Sequence, residues 1–139
     1  MRKNSLLLAL AFCLMFISCG RIQGPTEEVK AFADEKEDVI SQMGKKLEAN
    51  PTKAGVDEAR KVFEAKKDSL KAKKEAIKAA PQGFNKDWRS LLMKTESRHD
   101  EILQGIGVKF IVACSSDQCR NEWKALEKDF NETAKCSGC

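Results

Sequence analysis

Four stretches of this chain repeat apolar residues at steps of three and four, and a helix-breaking sequence separates most of them. The first carries Val29, Phe32, Ile40, Met43 and Leu47, with Val39 beside Ile40, and stops at Asn50-Pro51. The second carries Val56, Ala59, Phe63, Leu70 and Ile77 and ends at Ala80-Pro81-Gln82-Gly83. The third begins near Phe84 and carries Trp88, Leu91, Leu92, Ile102, Leu103, Ile106 and Phe110. The fourth carries Cys119, Trp123, Leu126 and Phe130. Such spacing puts each set on one face of a helix, which must then be buried against another. Thr26 and Thr52 are candidate N-caps for the first two helices, and Ser115 with Gln118 reads as a capping-box pair for the fourth. Short connections favour antiparallel neighbours, so the expected fold is all-α: a single-domain, antiparallel up-down four-helix bundle over residues 26–139. Eight Gly, three Pro and no Tyr in 139 residues are thin for an all-β sandwich.

One segment is ambiguous. In residues 104–113, Gly105 and Gly107 weaken a helix, and Val108-Lys109-Phe110-Ile111-Val112 suits a strand. No partner strand is evident, so the segment reads as the end of the third helix, kinked at the glycines. If helices three and four turn near Ser116, Trp123 lies level with Phe110, Leu126 with Ile106 and Phe130 with Leu103. If helices two and three turn near Gln82, Trp88 lies level with Ile77. The fourth helix is then too short to cover Trp88, which leaves that end closed by three helices or partly open.

The N-terminus carries the sharpest functional signal. Met1-Arg2-Lys3 is a short positive region, and the apolar run that follows is too short for a membrane span of about 20 residues. The run ends in Phe16-Ile17-Ser18-Cys19-Gly20. These residues resemble the lipobox of bacterial lipoprotein precursors, with Phe16 where Leu is usual. The resemblance covers only residues 1–20. It implies that residues 1–18 are a cleaved signal peptide, that Cys19 carries a diacylglyceryl group, and that its new amino group is open to acylation. Two or three acyl chains give stable anchoring where one is marginal. Residues 19–25 then form a lipidated cysteine and a short tether whose six residues after Cys19 reach about 20 Å, so the domain works close to a bilayer. The expected location is a bacterial envelope membrane, facing the periplasm or the exterior. The absence of Asp after Cys19 mildly favours an outer membrane.

Charge narrows the partners. Lys and Arg number 25 against 21 Asp and Glu, and removing Arg2 and Lys3 leaves 23 against 21, or about +2. That is too little excess for a nucleic-acid binder. The lysines do cluster in residues 60–78, where Lys66, Lys67, Lys73 and Lys74, together with Trp88, make a candidate membrane or partner face. The blander reading is a solvated helix whose lysine stems cover the edge of the core.

Four cysteines besides Cys19 remain in the mature chain: Cys114, Cys119, Cys136 and Cys139. An exported protein meets an oxidising compartment, so disulfides are the default. Cys119 and Cys136 lie about 25 Å apart along a continuous helix, beyond disulfide reach. An intact fourth helix therefore allows only Cys114–Cys119 with Cys136–Cys139. The same separation argues against a single metal site built from all four. The C-terminal Cys-Ser-Gly-Cys ring closes almost nothing, which leaves room for a redox role.

His99 is the only histidine. It lies on or beside the stripe of the third helix, where it is either a satisfied boundary residue or a haem ligand opposite Met43 or Met93. Ser97-Arg98-His99-Asp100 has triad residue types without triad geometry. No metal, cofactor or catalytic group is therefore expected. The leading expectation is a non-enzymatic lipoprotein that binds or organises an envelope protein, the wall or anionic lipid. The alternative is a small periplasmic redox or cofactor-carrying protein that uses Cys136 and Cys139 or His99.

Overall fold

A computed structural model describes residues 24–81, 87–136 and 139. These residues form four helices: α1 (Thr26–Ala49), α2 (Lys53–Ala79), α3 (Asp87–Ala113) and α4 (Asp117–Ala134). The expected all-α bundle is what forms, and no strand occurs among the described residues. The proposed signal peptide, Cys19 and most of the tether lie outside them.

Each helix buries the stripe that its sequence marks out. Val29, Phe32, Ile40, Met43 and Leu47 of α1 meet Val56, Ala59, Phe63, Leu70 and Ile77 of α2 in one continuous core. Phe63 packs edge-on against Phe130 of α4, with ring centroids 5.4 Å apart. Trp123 lies 5.9 Å from Phe110, as the expected α3–α4 register requires. The ambiguous segment is helical throughout, since α3 runs unbroken to Ala113. Its β-branched residues do not need a ladder partner: Phe110 enters the core while Val108 and Val112 face outward, 58% and 82% exposed. Helical periodicity and tertiary packing override local β-propensity here.

Two cap assignments shift. Thr26 is the first helical residue of α1, with Pro25 in the N-cap position. At α4 the cap is Ser116, whose hydroxyl accepts from the Cys119 amide at 3.2 Å. The Ser115–Gln118 capping box therefore does not form. Thr52 does occupy the N-cap position of α2, but its hydroxyl donates to Asn50 Oδ1 at 2.7 Å instead of accepting from the helix.

Helix directions alternate along the chain, yet α2 and α3 are not close neighbours. The α1 helix packs against both α2 and α3, and α2 against both α1 and α4. Contacts between α1 and α3 (Lys36–Glu96, Glu37–Arg98, Gly44–Ile106) advance together along both helices, so these two run parallel. Arg60–Glu122 and Lys67–Asp129 show the same for α2 and α4. The α1–α3 and α2–α4 contacts thus set α2 and α3 diagonally across the bundle from each other. Residues 82–86, which hold the expected turn near Gln82 and the start near Phe84, lie outside the described residues.

Candidate functional site

Trp88 is 1% exposed, so it closes the end of the bundle and offers no partner face. This corrects its placement on the candidate face with the lysines. The four lysines are also divided between two sides of α2. Lys66 and Lys73 turn toward α1 and share Glu35, at 3.6 and 2.7 Å. Lys67 bridges Asp129 of α4 at 2.8 Å and lies 5.1 Å from the Phe63 ring centroid. Lys74 donates to the Glu132 carbonyl at 3.4 Å. Burial alone would raise the Glu35 carboxyl pKa, but Lys73, Ser69 and Lys66 outweigh it and hold the carboxyl below its ordinary value. The hydrogen bond from Lys67 to Asp129 raises the lysine pKa. These cations serve the bundle's own helices, so they do not form one free basic surface.

The cysteines pair as the intact fourth helix requires. Cys114 and Cys119 are joined across the α3–α4 turn, with Cα atoms 6.3 Å apart. Both are buried, and the bond sits where Ser116 caps α4. Cys136 is joined to Cys139, Cα atoms 5.6 Å apart, and this tail packs against the core near Leu92 and Met93 of α3.

A charged layer crosses the core between α1 and α3. Lys36 is 2% exposed and bridges Glu96 at 2.9 Å. His99 is equally buried, with Nε2 3.6 Å from Glu37, which also accepts from Arg98 at 2.8 Å. The His99 Nδ1 has no hydrogen-bond partner among the described residues. Burial pushes the His99 pKa down, the Lys36 charge adds to this, and Glu96 and Glu37 offset only part of it. Of the two methionines considered beside His99, Met93 is 72% exposed and Met43 is packed within the core. Asp100 is engaged by Lys135 at 3.2 Å. Among the described residues, no three His, Cys, Asp or Glu side chains come together as a metal site.

A concavity lies beside this layer, between α1 and α3. It has a volume of about 490 Å³. Leu47, Pro51, Ile102, Ile106 and Phe110 supply apolar wall, and Glu37, Lys45, Glu48 and Lys109 supply polar groups. The α1 wall is low at Gly44, where an added Cβ would come within 2.9 Å of Ile106 Cδ1. Two parallel helices in contact at Gly44 and Ile106 thus leave a trough along their outer edge. His99 does not line it.

No protein family, curated protein or solved structure matches this chain.

Two of these features escaped sequence reading. Lys36 carried a signal: it falls four residues after Phe32 and four before Ile40, on the apolar stripe itself. The cleft carried none, because it depends on α1 and α3 being neighbours.

Proposed function

We propose that this protein is a lipid-anchored lipoprotein of a bacterial envelope whose helical domain is a non-enzymatic binding module held close to the membrane surface. The lipobox-like residues Phe16-Ile17-Ser18-Cys19 support the anchor. The α1–α3 cleft carries the binding reading. Its size lies within the range of small-molecule sites, and apolar wall with a few polar groups is the composition such sites share. Much of the charge elsewhere on the bundle is spent in contacts between its own helices.

Two measurements on the full chain in its own cells test this. Cys19→Ala moves the protein from the detergent phase to the aqueous phase if Cys19 is the anchor; unchanged partitioning contradicts it. A photo-crosslinking residue at Ser41, inside the cleft, yields a discrete adduct that the same residue at Ser69, on α2, does not. Equal yields at both positions contradict a binding role for the cleft.

A further inference from the structure

The cleft's shape and rim narrow what it holds. Its α3 wall runs from Ile102 to Ala113, a length of about 16 Å at the helical rise. A docked helix needs a row of apolar anchor sites, whereas the partly exposed apolar side chains of this cleft are Pro51, Ile102 and Ile106, with Leu47 and Phe110 nearly buried. An extended peptide brings unpaired backbone amides and carbonyls with it. Both walls are helices whose backbone groups are already paired internally, so they offer no ladder to such a strand. A single aliphatic chain has the right girth and asks for no hydrogen bonds.

The rim supplies the other half. Lys45 and Lys109 follow the contact pair Gly44 and Ile106 by one and three residues, which sets them at nearly the same height on opposite walls. Both are exposed, and among the described residues neither makes an ion pair, a state they share with other exposed lysines such as Lys61 and Lys94 but, unlike those, at the rim of the cleft. Of the two acids at the cleft, Glu37 is committed to Arg98 and His99, which leaves Glu48 against two lysines. An anionic head at the mouth meets a positive surplus there.

Building on the binding-module reading, we infer that the α1–α3 cleft is a site for a single-chain fatty carboxylate, its aliphatic chain along Pro51, Ile102 and Ile106 and its carboxylate between Lys45 and Lys109. A protein held within about 20 Å of a bilayer is well placed to meet such a ligand.

The test uses the full chain in phosphatidylcholine nanodiscs with a photoactivatable diazirine analogue of laurate. Adducts are expected on peptides carrying Pro51, Ile102 or Ile106. Unlabelled laurate should compete, and dodecanol, which keeps the chain and lacks the charge, should compete at least tenfold less well. Lys45→Glu with Lys109→Glu should lower the yield about tenfold, and Ser41→Trp should block the trough; helical circular dichroism confirms that these exposed substitutions leave the bundle folded. Adducts scattered over the outer helix faces, a yield unmoved by the charge reversal, or equal competition by dodecanol overturns the proposal. So does competition by phosphatidylglycerol vesicles and not by laurate, which assigns the site to a bilayer headgroup. If Ser41 captures a species in cells but the laurate analogue labels nothing, the fatty carboxylate is overturned and the binding module stands. If neither labels the cleft, both readings fail.

Discussion

Lys36 occupies a place in the α1 stripe that its neighbours fill with Phe32 and Ile40, and the bundle tolerates its charge because Glu96 meets it at 2.9 Å. Removing one member of such a pair leaves the other stranded. Lys36→Ala should therefore destabilise the protein by about 2–3 kcal/mol in urea unfolding, below the cost for a fully buried pair because Glu96 is 15% exposed and can regain water. The double change Lys36→Met with Glu96→Met should be neutral or stabilising, because it removes both desolvation costs. His99 belongs to the same layer. Its folded pKa lies below the model-peptide value of 6.5, so the unfolded chain takes up the proton first as pH falls. Stability should be full above the unfolded pKa and should decline as pH drops through about 6.5 toward the folded value. Glu35 works in the same direction lower down, losing its contribution as pH falls below the ordinary carboxylate range. His99→Leu should flatten the upper part of this profile and leave the lower part in place, as read by thermal unfolding at pH 7.5, 6.5 and 5.5. Equal slopes in both proteins above pH 5.5 would remove His99 from the account.

At the scale of elements, α3 shows why two glycines, five and three positions before Phe110, mean different things. An added Cβ at Gly107 would lie 2.9 Å from Trp123 Nε1 and 3.3 Å from Cζ2, whereas one at Gly105 meets nothing within 4 Å. Gly107 is the contact point that lets the Trp123 indole lie against α3. Gly107→Ala should cost about 1–3 kcal/mol through overpacking. Gly105→Ala should stabilise by about 0.5–1 kcal/mol through helix propensity alone. Thermal melts of the two single variants should move in opposite directions. The four helices themselves were legible because their stripes repeat at the helical period, and that signal outweighed the β-branched run at 108–112. Cap positions were legible to within a residue: Ser116 rather than Ser115 caps α4, and two adjacent serines offer the same chemistry to either frame. Lys36 was hidden because a charge on a stripe looks like a gap in it until Glu96 is seen opposite.

For the whole molecule, neighbour relations decide the candidate site. The stripes say that each helix buries a face but not against which partner, and short loops favour adjacency that α2 and α3 do not adopt. The diagonal placement of α2 and α3 sets α1 beside α3 and creates the cleft, so no residue pattern announced it. Covalent pairing was more legible, since helix length alone forbids Cys119 from reaching Cys136. Cys114→Ala with Cys119→Ala should lower stability by about 2 kcal/mol, the chain-entropy value for so short a loop. A loss well above that would mean the bond also holds the α3–α4 turn in a shape the Ser116 cap cannot maintain.

The anchored-module reading rests most directly on the state of Cys19, which the intact mass of the protein extracted from its native membrane in detergent reports in one spectrum. A chain lacking residues 1–18 and carrying two or three acyl chains at Cys19 is the expected result. A chain retaining residues 1–18, or cut there but bearing no lipid, would contradict it.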